Sequence, residues 1–155
     1  MLTKRLLSCG MPMSPAELSD RFEIGEVLAR YALAVDSGRW DLLDTVFTAD
    51  ATLDYSSSGG VTGSLEEAKA WLAKVLPAWP GRQHLIGATL IAFGDDRAEV
   101  TASFTDTLAP SRDAIEADSP GLIRGGGWYH HRMVRTAGGW RSREVVMEQL
   151  WRTMR

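Results

Sequence analysis

Beyond Pro80 the chain stops spacing its apolar residues three or four positions apart and begins to alternate them every second residue. The alternation runs through 83–93 and 97–109, broken by Gly94-Asp95-Asp96. It resumes through 123–136 and 140–149, broken by Ala137-Gly138-Gly139. Short glycine-containing breaks between alternating runs join antiparallel strands, so this half of the chain is expected to form two hairpins. Residues 110–121, rich in Pro, Ser and Asp, form the loop between them.

Before Pro80 the pattern is helical. Ser14-Pro15-Ala16-Glu17 has the form of a capping box with Pro at the first helical position. Leu18, Phe22, Val27, Leu28, Tyr31 and Val35 follow at helical spacing up to Gly38, predicting a helix of about five turns. A short helix carries Trp40, Leu43, Val46 and Phe47, and Ala51 to Tyr55 alternates as a strand. Ser56 to Gly60 is a loop. Ser64-Leu65-Glu66-Glu67 is a second capping box, opening a helix with Ala68, Trp71, Leu72, Val75 and Leu76 that Pro77 and Pro80 end. Helices followed by strands define an α+β domain. Both faces of 83–93 carry apolar residues: one must pack on helices, and the other could close around a cavity.

A chain of 155 residues is one domain with a sizeable core, here 14–155, behind a loose tail over 1–13. The net charge is −3, and lysine and arginine cluster nowhere before the C-terminal third. Arg132, Arg135, Arg141, Arg143 and Arg152 fall on both faces of strands, so nucleic acid is not an expected partner. The lone Cys9 excludes an internal disulfide framework and favours a cytoplasmic location. No apolar run approaches the roughly 18 residues of a membrane span, and no signal peptide is evident.

The chemistry centres on His84. Strand alternation puts it on one face with Ile86, Ala88, Leu90 and Ala92, where an imidazole needs a hydrogen-bond partner or a chemical role. Asp106 lies on the apolar face of the next strand, behind Val100, Ala102 and Phe104; Asp36 ends the first helix. Either carboxylate could serve the histidine as in a general acid–base site, and a core histidine satisfied by a backbone carbonyl is the alternative. Tyr31 and Tyr55 are amphipathic core residues whose hydroxyls need partners. Tyr129 and His131 share a face with Met133, and the adjacent His130 and His131 point oppositely, which disfavours a metal site. Gly125-Gly126-Gly127 precedes a strand and so is not a phosphate loop.

The segments Ile-Gly-Glu-Val-Leu-Ala-Arg-Tyr-Ala-Leu-Ala-Val-Asp-Ser-Gly-Arg-Trp-Asp-Leu-Leu, Phe-Thr-Ala-Asp-Ala-Thr-Leu-Asp-Tyr, Gln-His-Leu-Ile-Gly and the late Gly-Gly-Trp resemble the SnoaL-like branch of the nuclear-transport-factor-2-like superfamily. The resemblance covers roughly residues 17–148. It implies a cone: a curved antiparallel or mixed sheet wrapped on a long N-terminal helix, with an internal apolar pocket. The branch includes scytalone dehydratase and bile-acid 7-alpha-dehydratase. Similarity to the first implies site roles for Asp36, His84 and Tyr55. The chain departs from it at Val35, near Pro110, and near Gly127 and Tyr129. Similarity to the second implies Tyr31, Asp36, His84 and Asp106, with Arg143 or Arg141 as a late arginine.

The catalytic set expected on this basis is His84, Asp36, Tyr55, Tyr31 and Asp106, with Phe104, Tyr129, His131, Arg143 and Trp71 around the substrate. The implied activity is a cofactor-free, metal-free lyase of the dehydratase type on an apolar cyclic substrate such as a steroid or polyketide. The alternatives are a ketosteroid-isomerase- or polyketide-cyclase-like enzyme and a non-catalytic ligand-binding module. Apolar residues on the outer sheet face, with Trp128 and Trp151, predict a homo-oligomer, either trimer or dimer.

Overall fold

In a computed structural model of the protein, which describes residues 12–116 and 120–155, the first helix is α1, Pro15–Ser37. The Ser14 hydroxyl accepts the Glu17 N–H at its start. Gly38 ends it at φ 71°, a left-handed conformation, and its N–H closes on Ala34 O. The helix is a turn longer than its apolar spacing predicts. Ile24, Val27, Leu28, Tyr31, Ala34 and Val35 are buried along one face, whereas Leu18 and Phe22 stand in solvent, Phe22 73% exposed. In the first two turns it is Asp20 and Arg21 that reach the sheet, at Trp140, Arg135 and Phe93, so the apolar spacing there does not mark core.

A 3-10 turn over Trp40–Thr45 leads into β1, Phe47–Asp54, and a three-residue β2, Thr62–Ser64, whose length left no periodic signal. In α2, Leu65–Val75, the Ser64 and Glu67 side chains each accept the other residue's N–H, completing the predicted capping box. The long strands follow: β3 Gly81–Phe93, β4 Arg97–Ala109, β5 Ile123–Thr136 and β6 Gly139–Met154, with a four-residue α3, Asp113–Glu116, within the predicted loop. The expected tail falls almost wholly outside the described residues.

These strands form one six-stranded open sheet in the order β2-β1-β6-β5-β4-β3. Every neighbouring pair is antiparallel except β1 with β6, so the sheet is mixed. Helix α1 packs on its inner face, mainly against β3 and β6. The α+β architecture with one helix-covered sheet face is therefore as predicted.

Three irregularities of the long strands decide which side chains face inward, one of them in β6, where Gly126 pairs with Trp151 and Gly127 with Gln149 and Leu150 is the extra residue. In β3, Ile86 pairs with Phe104 and Thr89 with Ala102, so three steps of β3 match two of β4. This bulge reverses the alternation. His84 and Ile86 face α1, but Leu90 is turned outward and exposed, contrary to the single face expected for residues 84–92. In β6, Arg132 pairs with Glu144 and Met133 with Ser142, leaving Arg143 as the extra residue.

Candidate active site

A cavity of about 260 Å³ lies between α1, α2 and the inner face of the sheet. Its walls are largely apolar, with Val35 from α1, Trp71, Leu72 and Val75 from α2, Trp79, Leu108 and Met147. His84, Asp106, Tyr31, Tyr55, Tyr129, Gln149 and Arg152 supply the polar groups. A second hollow of about 280 Å³, on the outer sheet face, is lined by Leu90, Glu99, His130, Arg132 and Glu144. Arg132 pairs with Glu144 at 3.0 Å and His130 with Glu148 at 2.8 Å on this face.

Asp36, in the last turn of α1, holds His84. Its Oδ1 lies 2.7 Å from His84 Nδ1, and its two oxygens accept the His84 backbone N–H at 3.1 and 2.9 Å. An ionised carboxylate only accepts, so Nδ1 carries the proton and Nε2 keeps its lone pair for the cavity. Of the two candidate carboxylates, Asp36 is thus the one that orients the ring. Arg82, two residues before His84, fixes the frame. Its Nε donates to Val35 O at 2.9 Å, and its Nη1 donates to Leu76 O and Trp79 O at 3.1 and 3.2 Å. One side chain thereby ties the end of α1, the segment after α2 and the start of β3 together.

Three phenols cluster in the same cavity. Tyr31 Oη and Tyr55 Oη are 3.1 Å apart, and the Tyr31 ring meets the Tyr129 ring edge-on at 5.3 Å. Burial first, and the neighbouring phenols second, raise the pKa of all three well above the usual phenol value, so they remain protonated donors. The Tyr31 hydroxyl interacts with those of both Tyr55 and Tyr129, so two of the three phenol protons are used within the chain and one is left to donate to a ligand. Tyr55 stacks on Trp71 at 6.0 Å, and Gly60 admits that stack: a Cβ there would stand 2.7 Å from Tyr55 Cβ and 2.8 Å from the Trp71 ring.

Asp106 pairs across the strands with His84, and its Oδ1 is buried without a hydrogen-bond partner. Gln149 Nε2 is in the same condition. Both atoms crowd Gly125, at 2.5 and 2.6 Å from where a Cβ would stand.

Of the expected surrounding residues, Trp71 and Tyr129 line the cavity. Phe104 lies behind, stacked on Tyr129 at 4.3 Å. His131 also lies behind, 6.4 Å from the Tyr31 ring. Ser142 Oγ donates to Glu144 O at 2.9 Å and therefore accepts from His131 Nδ1, also at 2.9 Å. That leaves His131 Nε2 a buried lone pair with no partner. Burial, with the adjacent His130, lowers its pKa to about 3. Arg143 does not belong to the site. As the extra residue of the β6 bulge it points outward and pairs with Asp50 at 2.8 Å on the surface. Arg152, three residues beyond Gln149 and brought back to the inner face by the extra residue Leu150, is the late arginine that reaches the cavity. Sequence reasoning missed Trp79, Gln149 and Arg152. Gln149 had a legible signal, since it continues the inward phase of Val145 and Met147 as a polar residue.

Comparison with known proteins agrees with this architecture. Proteins of Mycobacterium tuberculosis and Mycobacterium bovis with no assigned function are 36% identical over 129 residues, 83% of this chain and 84% of theirs. The structure of the Kfla4162 protein of Kribbella flavida is similar with a TM-score of 0.78 and 28% identity, over 88% of this chain and 95% of that one. A scytalone dehydratase-like protein of Novosphingobium aromaticivorans is similar with a TM-score of 0.78 and 18% identity, over 92% of each chain. A hexachlorocyclohexane dehydrochlorinase of Novosphingobium barchaimii has a TM-score of 0.73 and 18% identity, over 90% of this chain and 92% of that one. At such identities the last two establish likeness of fold alone. The sequence model of the SnoaL-like domain matches residues 16–146, the span that holds α1, the Asp36–His84 pair and the three tyrosines, and the chain belongs to that family.

Proposed function

We propose that the protein is a lyase that removes a proton next to a carbonyl group in an apolar cyclic small molecule and expels a β-substituent. The observation that carries this reading is His84, held by Asp36, in the wall of an apolar cavity that also holds protonated phenols. His84 Nε2 takes the proton from the carbon beside the carbonyl. The Nδ1–H stays on Asp36, whose charge balances the imidazolium. Electrons from the broken C–H bond pass to the carbonyl oxygen, where a phenol donor meets the growing negative charge. They return to form the new C=C bond as the β-carbon–oxygen bond breaks, and the imidazolium proton leaves with that oxygen as water. Neither a redox partner nor a group carrier is needed for the atoms to balance. The names of the scytalone dehydratase-like and dehydrochlorinase neighbours, both elimination enzymes, fit the same class.

The test is turnover of cyclic β-hydroxy ketones followed by enone absorbance. His84→Ala should abolish it without loss of ligand binding. A variant that retains near-normal kcat on a proven substrate would move the base elsewhere. Ligands that bind but never turn over would leave a binding module of the same fold.

A further inference from the structure

Two buried polar atoms in the cavity are not used by the proton transfer. Asp106 Oδ1 is a bare acceptor and Gln149 Nε2 a bare donor, and neither has a protein partner. Leaving such groups unmade is unfavourable by more than a typical hydrogen bond contributes, so their joint presence in a ligand cavity points to a ligand group that completes both. They come from different strands: Asp106 in β4 pairs with Gly125 of β5, and Gln149 in β6 pairs with Gly127, two residues along β5, from where its amide reaches Gly125. A larger residue there would displace one or both side chains, because a Cβ would stand 2.5 Å from one atom and 2.6 Å from the other. The gap between them is therefore kept open by the glycine.

A hydroxyl satisfies a carboxylate acceptor and an amide donor at the same time, since it donates one hydrogen bond and accepts another. A ketone oxygen or a halide has no proton for Asp106 and would bring a negative end toward its carboxylate. We infer that Asp106 and Gln149 form a hydroxyl clamp, with Gln149 as a specificity-determining residue, and that the ligand of this cavity is an alcohol as well as a carbonyl compound. The inference rests on the elimination reading only for its consequence. Because Asp106 pairs with His84 across the strands, the clamped hydroxyl lies beside the imidazole that returns the proton to a departing oxygen.

The test uses the full-length protein and α-tetralone, a fused bicyclic ketone, with its phenolic ring-hydroxylated isomers, which cannot eliminate. Calorimetry should find at least one isomer bound about tenfold more tightly than α-tetralone, the gain expected of a well-placed charged hydrogen bond. Gln149→Leu and Asp106→Asn should each cut that preference below about twofold and leave α-tetralone affinity nearly unchanged. Gly125→Ala should erode it too, with circular dichroism and thermal melting confirming that each variant is folded. A wild type that binds all the ketones equally, or binds none, overturns the clamp, as does a preference that survives both Gln149→Leu and Asp106→Asn. Hydroxyl preference without turnover of any β-hydroxy ketone supports the clamp and fails the elimination reading alone.

Discussion

Asp36 accepts from His84 twice, through the ring Nδ1 at 2.7 Å and through the backbone N–H at 2.9 Å, so one carboxylate fixes both the strand and the imidazole it carries. That double hold links the end of a helix to the first turn of alternation of a strand 48 residues later. It also sets the tautomer that leaves Nε2 toward the cavity.

Loss of the base should appear in the chemical step. His84→Ala is expected to lower kcat by about 10²–10⁴-fold with little change in ligand affinity, because the base acts in the transition state. Asp36→Asn should also slow turnover, since an amide cannot balance an imidazolium. Steady-state kinetics paired with ligand titration separates the two effects. An Asp36→Asn enzyme as fast as wild type would show that the carboxylate is only a helix-end hydrogen bonder.

Arg82 should behave as a positioning residue. Its three bonds to carbonyl oxygens are lost in Arg82→Leu, and breaking such a partly buried set is expected to destabilise the fold by about 2–3 kcal/mol in denaturant unfolding. Arg82→Lys should keep one bond at most and recover only part of that loss. Equal stability of Arg82→Leu and wild type would remove the clamp.

Gly60 faces Tyr55 and Trp71 at distances below those that real Cβ atoms show. Gly60→Ala should therefore overpack the stack, costing about 1–3 kcal/mol and displacing the Tyr55 hydroxyl from Tyr31. Thermal unfolding and the near-ultraviolet spectrum of Trp71 report the two consequences separately, and unchanged values for both would contradict the packing described.

Acid should weaken the protein through His131. The unfolded chain binds a proton at this histidine near pH 6.5, whereas the folded chain resists until about pH 3. Between those values the unfolded state holds more protons, so the contribution is complete above about pH 6.5 and declines as the pH falls. At roughly 1.4 kcal/mol per pH unit, about 2 kcal/mol is lost by pH 5. Urea midpoints at pH 7.5 and pH 5 measure it, and His131→Leu should flatten the difference. A wild-type midpoint that does not change between them would mean that His131 is protonated in place.

The outer sheet face exposes Leu85, Leu90 and Trp151. We expect this face to join subunits as a dimer or trimer. Light scattering should give a multiple of the 17.0 kDa chain mass at micromolar concentration. A monomer there, or a Leu85→Asp/Leu90→Asp variant with unchanged mass, would refute it.

Local sequence rules determined the elements. Ser14 caps the first helix through its hydroxyl alone, Glu17 bonding Arg21 instead of completing the box, Ser64 and Glu67 cap the second reciprocally, Gly38 stops the first, and the period-two runs reproduce β4 and β5 residue for residue. Capping and alternation depend on neighbours a few residues apart, so a single chain displays them. Family likeness singles out Asp36, His84, Tyr31, Tyr55 and Asp106; the last four line one cavity, and Asp36 bonds to His84. What the tertiary structure alone decided was direction and partnership. The bulge at 86–89 turned Leu90 outward, the bulge at Arg143 removed that arginine from the site, and Asp36 rather than Asp106 took the histidine. A bulge adds one residue to one strand only, and its effect depends on the pairing of a distant strand. The same holds for Gln149 and Asp106, which both approach Gly125 only because β4, β5 and β6 lie side by side.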